Sequence, residues 1–377
     1  MTDVADAIVV GAGIVGAACA DALAQDGWRV RVLERARPGG RATAAGMGHV
    51  LVLDDSEAQF ALTRLGRDLW RARDWPPSVE RDDCGTIWVA ADDAEFDAAR
   101  GKSEWYAARG VRTGLLDARA LRDAEPELHE GLRGGLHIAD DLVVHPPTAT
   151  AHLLACARAH GALVEPLRSV RVVGDGNVEL DDDTRLSAAL VVVAAGLDTP
   201  RLLGHRPDAL RIRAKKGHLV ISDRAPGFVR HQLVELGYLK SAHGGTARSV
   251  AFNAQPRRSG QLLLGSSRQV DVVEPRVEHD MLAAMIARAM RFLPRIGSLP
   301  GLRVWTGLRP STDDNLPFIG RLPDAPRTIV AAGHEGLGIT TSLSTAKLVA
   351  DLAADRTPCI DPRWFACDRS TAELAHG

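Results

Sequence analysis

Ala7-Ile8-Val9-Val10-Gly11-Ala12-Gly13-Ile14-Val15-Gly16 is the stretch that decides the fold. Four apolar residues run into three glycines at G-x-G-x-x-G spacing. A helix pattern of small residues follows from Ile14 to Gln25, and Gly27 ends it. Arg29-Val30-Arg31-Val32-Leu33 then reads as a second strand, closing on Glu34. Three glycines alone are a weak signal. A strand before them, a helix after them and an acid 23 residues beyond Gly11 make a βαβ unit that grips a dinucleotide. Gly11 allows the tight turn, Gly13 lets the backbone approach a pyrophosphate, and Gly16 lets the helix pack on the strand. The first amides of the helix, at Ile14 and Val15, face the anion together with the helix dipole. Glu34 stands where a carboxylate accepts hydrogen bonds from ribose hydroxyls. It would repel a 2′-phosphate, which disfavours NADP. A glycine-rich turn with no ligand would leave the strand, helix and acid without a common purpose.

Outward from this unit the pattern departs from that of an NAD-dependent dehydrogenase. No second βαβ unit follows Leu33. Instead a small-residue segment, Gly39 to His49, is suited to lie against a large flat ligand. Ser56 to Arg73 reads as a helix with Phe60, Leu62, Leu65, Leu69 and Trp70 on its core face. Cys84 to Ala90 is a strand, Asp92 to Arg109 a helix, and Thr148 to His160 another helix behind His145-Pro146-Pro147. The apolar run Ala188 to Gly196 reads as a further parallel strand reaching a ligand at its carboxyl end. Alternating runs from Ile212 to about Gly265 suggest an antiparallel sheet, and Glu278 to Phe292 an amphipathic helix. Thr328 to Gly333 reads as a strand, and Gly338-Ile339-Thr340 as the opening of a helix to Ala354.

The expected class is therefore α/β. A discontinuous Rossmann-like domain spans 1–80, 141–210 and 301–377. A substrate domain with a mainly antiparallel sheet spans 81–140 and 211–300, with the active site between the domains.

Bulk properties narrow the function. A chain of 377 residues holds two domains. A net charge of −2 gives no reason to expect a nucleic acid partner or an anionic membrane surface. Cys19, Cys84, Cys156, Cys359 and Cys367 form no C-x-x-C, so no metal site is expected, and their scatter fits a reducing cytoplasm. Asp3 and Asp6 stand where a signal peptide would be basic, and no run reaches the ~20 apolar residues of a membrane span. A cytoplasmic location is expected, with peripheral contact at the inner membrane left open.

Five segments together carry a family resemblance. They are the N-terminal fingerprint, Thr43-Ala44-Ala45-Gly46-Met47, Val193-Ala194-Ala195-Gly196, Trp305-Thr306-Gly307-Leu308-Arg309-Pro310 and Gly333-His334-Glu335-Gly336-Leu337-Gly338. In this order, over nearly the whole chain, they resemble the D-amino acid oxidase-like FAD-dependent oxidoreductases, which include glycine and sarcosine oxidases and D-amino acid dehydrogenases. Thr43 to His49 and Asp83 to Trp88 are most similar to the FAD subunit of bacterial D-hydroxyproline dehydrogenases, which work with small electron-relay subunits.

The resemblance implies an FAD-binding Rossmann-like domain and non-covalent FAD. Gly11, Gly13, Ile14, Val15 and Gly16 would hold the pyrophosphate, and Glu34 and Arg35 would stand at the adenosine ribose end. Thr43, Ala44, Gly46 and Met47 would line the flavin, and Arg41 and Ala42 belong to the cofactor set. Val170 would contact adenine through its backbone, and Ala195 and Gly196 would approach the dinucleotide. Gly307 belongs to the same set. Gly336, Leu337, Gly338 and Ile339 would present amides to the pyrimidine edge of the flavin, where reduced flavin carries negative charge, and Thr340 belongs to the cofactor set.

Arg309 matches the residue that grips the substrate carboxylate. A bidentate guanidinium fixes the carboxylate plane, whereas the alternative is an ordinary surface arginine. Tyr238 reads either as a side chain over the substrate or as core. His49 reads as a flavin or substrate contact or as a loop histidine bonded to backbone. Glu335 would suit a secondary amine or a hydroxyl. The implied reaction is oxidation of the C–N bond of a D-amino or imino acid, with D-hydroxyproline or a D-proline-like acid favoured and electrons passed to partner subunits or a carrier. The alternatives are an O₂-using glycine or D-amino acid oxidase, a subunit whose FAD is structural, and an NAD-dependent reductase.

Overall fold

The computed structural model describes residues 5–204, 210–237 and 247–369, and the chain divides into two compact units. The first comprises Met1–Val79, His145–Ala214 and Arg309–Gly377. Its six-stranded sheet runs in the order Phe318–Leu322, Ala325–Ala332, Leu190–Val193, Ala7–Val10, Val30–Glu34, Leu163–Pro166. All neighbours are parallel except the edge strand Phe318–Leu322, which is antiparallel to Ala325–Ala332.

The central strands are apolar along their whole length because both faces are covered. Ile8, Val10, Val191, Val193 and Val330 enter one core cluster with Val173, Val178 and Leu202. The helix Ile14–Gln25 packs closely on the helices Pro146–Ala159 and Ser342–Ala353, which its run of alanines permits. Ser56 caps the helix Glu57–Ala72 by accepting the Gln59 N–H at 3.1 Å.

The second unit comprises Glu80–Val144 and Lys215–Leu308. Its eight-stranded sheet runs Gly301–Ser311, Arg213–Ser222, Leu262–Val270, Arg248–Pro256, Gln232–Glu235, Thr86–Ala90, Gly134–Ile138, Thr113–Asp117. Only the pair Gln232–Glu235 with Thr86–Ala90 is parallel among those whose register is defined. One sheet face packs Ile87, Val89, Leu233, Phe252 and Leu264 against Met285 and Phe292 of the helix His279–Phe292. Phe252 and Phe292 stack with ring centroids 4.6 Å apart.

The last unit boundary follows Leu308, not residue 300, because the Gly301–Ser311 strand is hydrogen-bonded to Arg213–Ser222 in this sheet. The final helix begins at Ser342, four residues after the expected Gly338. Residues 335–341 form tight turns before it, closed by Leu337 N–H to His334 O and Thr341 N–H to Leu337 O, both 2.9 Å. Among the described residues no helix is long and apolar enough to cross a membrane.

Candidate functional site

The glycines of the opening motif are held apart by what surrounds them. Gly11 has φ +101°, and a Cβ there would stand 2.6 Å from the Ala194 carbonyl oxygen. A Cβ on Gly16 would stand 2.0 Å from the Gly11 carbonyl oxygen. These two glycines serve the close packing of strand, turn and helix. Gly13 differs. Its backbone is extended (φ −69°, ψ 178°), and a Cβ would meet only Thr43 Oγ1, at 3.3 Å.

The first turn of the helix leaves the N–H groups of Gly13, Val15 and Gly16 without an acceptor among the described residues, whereas Ile14 N–H donates to Thr43 Oγ1 at 3.1 Å. Unpaired amides at a helix N-terminus favour an anion. Thr43 thus ties the small-residue segment to this turn.

Glu34 ends its strand with both carboxylate oxygens engaged: one accepts the Ala12 N–H and the other the Ala36 N–H, each at 2.8 Å. Each oxygen keeps a further lone pair for a hydroxyl donor. Arg35 pairs with Asp198 at 2.6 Å, and Arg41 reaches the same carboxylate at 3.5 Å. Asp198 lies two residues past Gly196, which has φ +58° and open space where a Cβ would be. Next to Asp198, the Thr199 hydroxyl is buried without a partner among the described residues. Sequence reasoning missed both residues, though their position just beyond the Val193–Gly196 strand end was a usable signal. Val170 is buried in the core of this unit at the start of Val170–Gly174. Ala42 and Ala44 are exposed, Gly46 is half-buried and Met47 is buried.

A second glycine-rich turn lies beside the first: a Cβ on Gly338 would be 4.0 Å from Val15 Cγ2. The N–H groups of Gly338, Ile339 and Thr340 have no acceptor among the described residues. The Gly336 N–H donates to the Glu335 carboxylate and that of Leu337 to His334 O. The turn is pinned from several sides. Trp70 Nε1 donates to Ile339 O at 3.0 Å, and Thr340 Oγ1 donates to His49 O at 3.0 Å. A Cβ on Gly46 would stand 2.8 Å from Ile339 Cδ1, so the Gly39–His49 segment runs directly against the turn. Trp70 had been read only as part of a core face.

Arg309 enters this turn from the Gly301–Ser311 strand. Its Cδ and Nε stand 3.6 and 3.7 Å from where a Cβ on Gly336 would be. Glu335 has φ +50° and its N–H donates to Pro310 O at 2.7 Å, which ties the strand end to the turn. His49 is half-buried in the same unit, Gly307 falls in the second unit, and Tyr238 lies outside the described residues. His334 is buried, and its Nε2 hydrogen-bonds Thr345 Oγ1 at 3.0 Å. Burial pushes its pKa down to about 3, so it stays neutral and structural at neutral pH.

Comparison with known proteins matches residues 6–352 to the family described as FAD dependent oxidoreductase. The chain belongs to that family. It is 26% identical over 390 residues to a glycine oxidase of Geobacillus kaustophilus (strain HTA426), covering 99% of each chain. It is 25% identical over 427 residues to the hydrogen cyanide synthase subunit HcnC of Pseudomonas aeruginosa, covering 98% of this chain and 97% of that one. Among solved structures, L-proline dehydrogenase from P.horikoshii shares the fold with a TM-score of 0.87 at 20% identity, covering 97% of this chain and 98% of that one.

The residues present fit FAD. Two adjacent sets of unpaired amides suit the pyrophosphate and an anionic ring edge, and a fixed carboxylate at Glu34 suits a ribose.

Proposed function

We propose that this FAD-dependent oxidoreductase oxidises the C–N bond of a small D-amino or imino acid, with D-hydroxyproline or a D-proline-like acid favoured. Electrons pass to partner subunits or a carrier. The first unit is assigned to FAD and the second to substrate recognition, and the protein is placed in the cytoplasm or at the inner membrane surface.

The observation that carries this reading is the packing of Arg309 over Gly336. The arginine side chain lies along the turn, since a Cβ at 336 would be in ordinary van der Waals contact with its Cδ and Nε. A guanidinium in that place binds a carboxylate through two parallel hydrogen bonds and fixes its orientation. FAD, when bound, supplies a two-electron acceptor for hydride. Arg309 then has to hold the acid so that its α-hydrogen faces that acceptor, and the amine has to be unprotonated. No protein base is required. His49, Glu335 and Tyr238 are retained as proposed substrate contacts. The imino acid substrate of the proline dehydrogenase and the subunit character of HcnC support the cyclic substrate and the partner subunits.

A second reading, an O₂-using glycine oxidase, is favoured by the full-length similarity to the Geobacillus enzyme. The test is anaerobic bleaching of FAD absorbance by a panel of D- and L-amino and imino acids, followed by peroxide assay in air. Bleaching by cyclic D-acids without peroxide supports the first reading, and glycine-dependent peroxide the second. Arg309→Ala should slow bleaching by about 10²–10³-fold at unchanged FAD content. Undiminished bleaching in that variant would remove Arg309 from the site, and no bleaching of wild type by any acid would leave FAD in a structural role.

A further inference from the structure

In the first unit's sheet the strand Ala7–Val10 lies between Leu190–Val193 and Val30–Glu34, with Val10 opposite Val193 on one side and Leu33 on the other. The Gly11–Gly16 turn leaves the sheet from the end of this middle strand. The two flanking strand ends stand about 10 Å apart, twice the spacing of neighbouring strands. A ligand of an open α/β sheet lies in the crevice at these carboxyl ends.

One carboxylate closes that crevice from side to side. Asp198 follows the Leu190–Val193 strand end, Arg35 follows Glu34, and the two pair at 2.6 Å. The pair therefore reaches from one flanking strand to the other across the end of the middle one. Arg41 reaches the same Asp198 at 3.5 Å from the start of the helix Arg41–Ala45. Thr43 of that helix is fastened to the glycine turn, its Oγ1 accepting the Ile14 N–H at 3.1 Å. Arg41 has φ +52°, a left-handed backbone that a non-glycine residue keeps only where its surroundings demand it. Between the strand end and Asp198, Gly196 has open space where a Cβ would be, so the backbone is clear there for a ligand.

All three charged side chains reach solvent: Arg41 is 66% exposed, Arg35 31% and Asp198 24%. Ion pairs this exposed add little to stability. Stability therefore does not account for charges drawn from three segments onto one point at the mouth of the crevice.

We infer that Asp198 is the clasp of a strap over FAD: with Arg35 and Arg41 it closes the dinucleotide crevice, and the clasp parts whenever FAD enters or leaves. The inference concerns cofactor exchange and stands whichever acid the enzyme oxidises. The clasp closes equally with and without FAD beneath it, so it delays passage in both directions and leaves affinity alone.

The test follows FAD release from the holoenzyme on dilution, read by the fluorescence that freed FAD regains, together with Kd by titration. Asp198→Asn keeps the size of the side chain and removes its charge. It should speed release about three- to thirtyfold, as expected for the loss of two part-exposed ion pairs. Kd should stay within about twofold of wild type, because a clasp common to both states has no differential effect on them. Faster release at unchanged Kd means that entry is faster by the same factor. Salt at about 1 M should bring wild-type release toward the variant's rate and leave the variant nearly unchanged, since it screens the pairs. Arg35→Gln should also speed release, and the double variant should be no faster than Asp198→Asn, the mark of groups acting as one. Arg35→Gln stands in if Asp198→Asn does not fold.

Unchanged release in Asp198→Asn and Arg35→Gln overturns the inference, as does wild-type release indifferent to salt. So does release that quickens only with a matching rise in Kd, since the three side chains would then hold bound FAD and gate nothing.

Discussion

Gly13→Ala and Gly16→Ala should separate the glycine that makes room for FAD from the glycine that makes room for the protein itself. At Gly16 a Cβ would stand 2.0 Å from the Gly11 carbonyl oxygen and 3.3 Å from Ala194 Cβ. Carbon–oxygen contact begins at about 3.3 Å. The helix Ile14–Gln25 and the turn would have to part by about 1.3 Å, against strands whose atoms are close-packed. Overpacking of that kind costs about 3 kcal/mol, roughly a 5 °C fall in Tm for the FAD-free protein.

At Gly13 the nearest protein atom is Thr43 Oγ1 at 3.3 Å, and φ −69° is open to alanine. The stiffer unfolded chain gains about 0.4–1 kcal/mol, offset by the poorer cap alanine makes. FAD-free stability should therefore stay within about 1 kcal/mol of wild type. The methyl would project where the backbone must touch the pyrophosphate, and about 1–3 kcal/mol of overpacking there weakens FAD binding by about 5- to 150-fold. Thermal melts of the FAD-free proteins and FAD titration by fluorescence quenching measure the two effects. If Gly13→Ala binds FAD as wild type does, or if Gly16→Ala melts normally without FAD, the division of roles is wrong.

Two further outcomes are expected. Glu34→Gln puts an amide NH₂ against the Ala12 or Ala36 N–H, both of which now donate to carboxylate oxygens at 2.8 Å. FAD affinity should fall by about tenfold or more, the loss of one charge-assisted bond of about 1.5–3 kcal/mol, read as FAD retained through gel filtration. His334 has its pKa lowered from 6.5 to about 3 by burial, so the unfolded chain binds the proton first. Its contribution to stability is complete above pH 6.5 and is lost progressively as pH falls toward 3, about 2 kcal/mol by pH 5. Urea melts at pH 7.5 and 5.0 should show that loss in wild type and not in His334→Gln; equal losses in both would assign the acid sensitivity elsewhere.

Much of the fold was legible because its signals are local. The apolar runs of Ala7–Val10 and Leu190–Val193 betray strands covered on both faces, and caps at Ser56 and Asp92 mark helix starts to within a residue. The late start of the final helix was not legible. Gly338, Ile339 and Thr340 carry a helix-like pattern, but the left-handed backbone at Gly333 and Glu335 and the bonds from Trp70 and to His49 hold a series of turns first.

The sequence by itself determined the dinucleotide fingerprint, the acid at Glu34 and the family's order of motifs, since each depends on spacing along the chain. Only the tertiary structure decided which amides stay open, that Arg35 and Arg41 share Asp198, and that Arg309 lies along the turn at Gly336. Those facts depend on hydrogen-bond partners and strand registers joining residues tens to hundreds of positions apart. A burial pattern in sequence shows that a side chain is covered, but not what its polar atoms meet there.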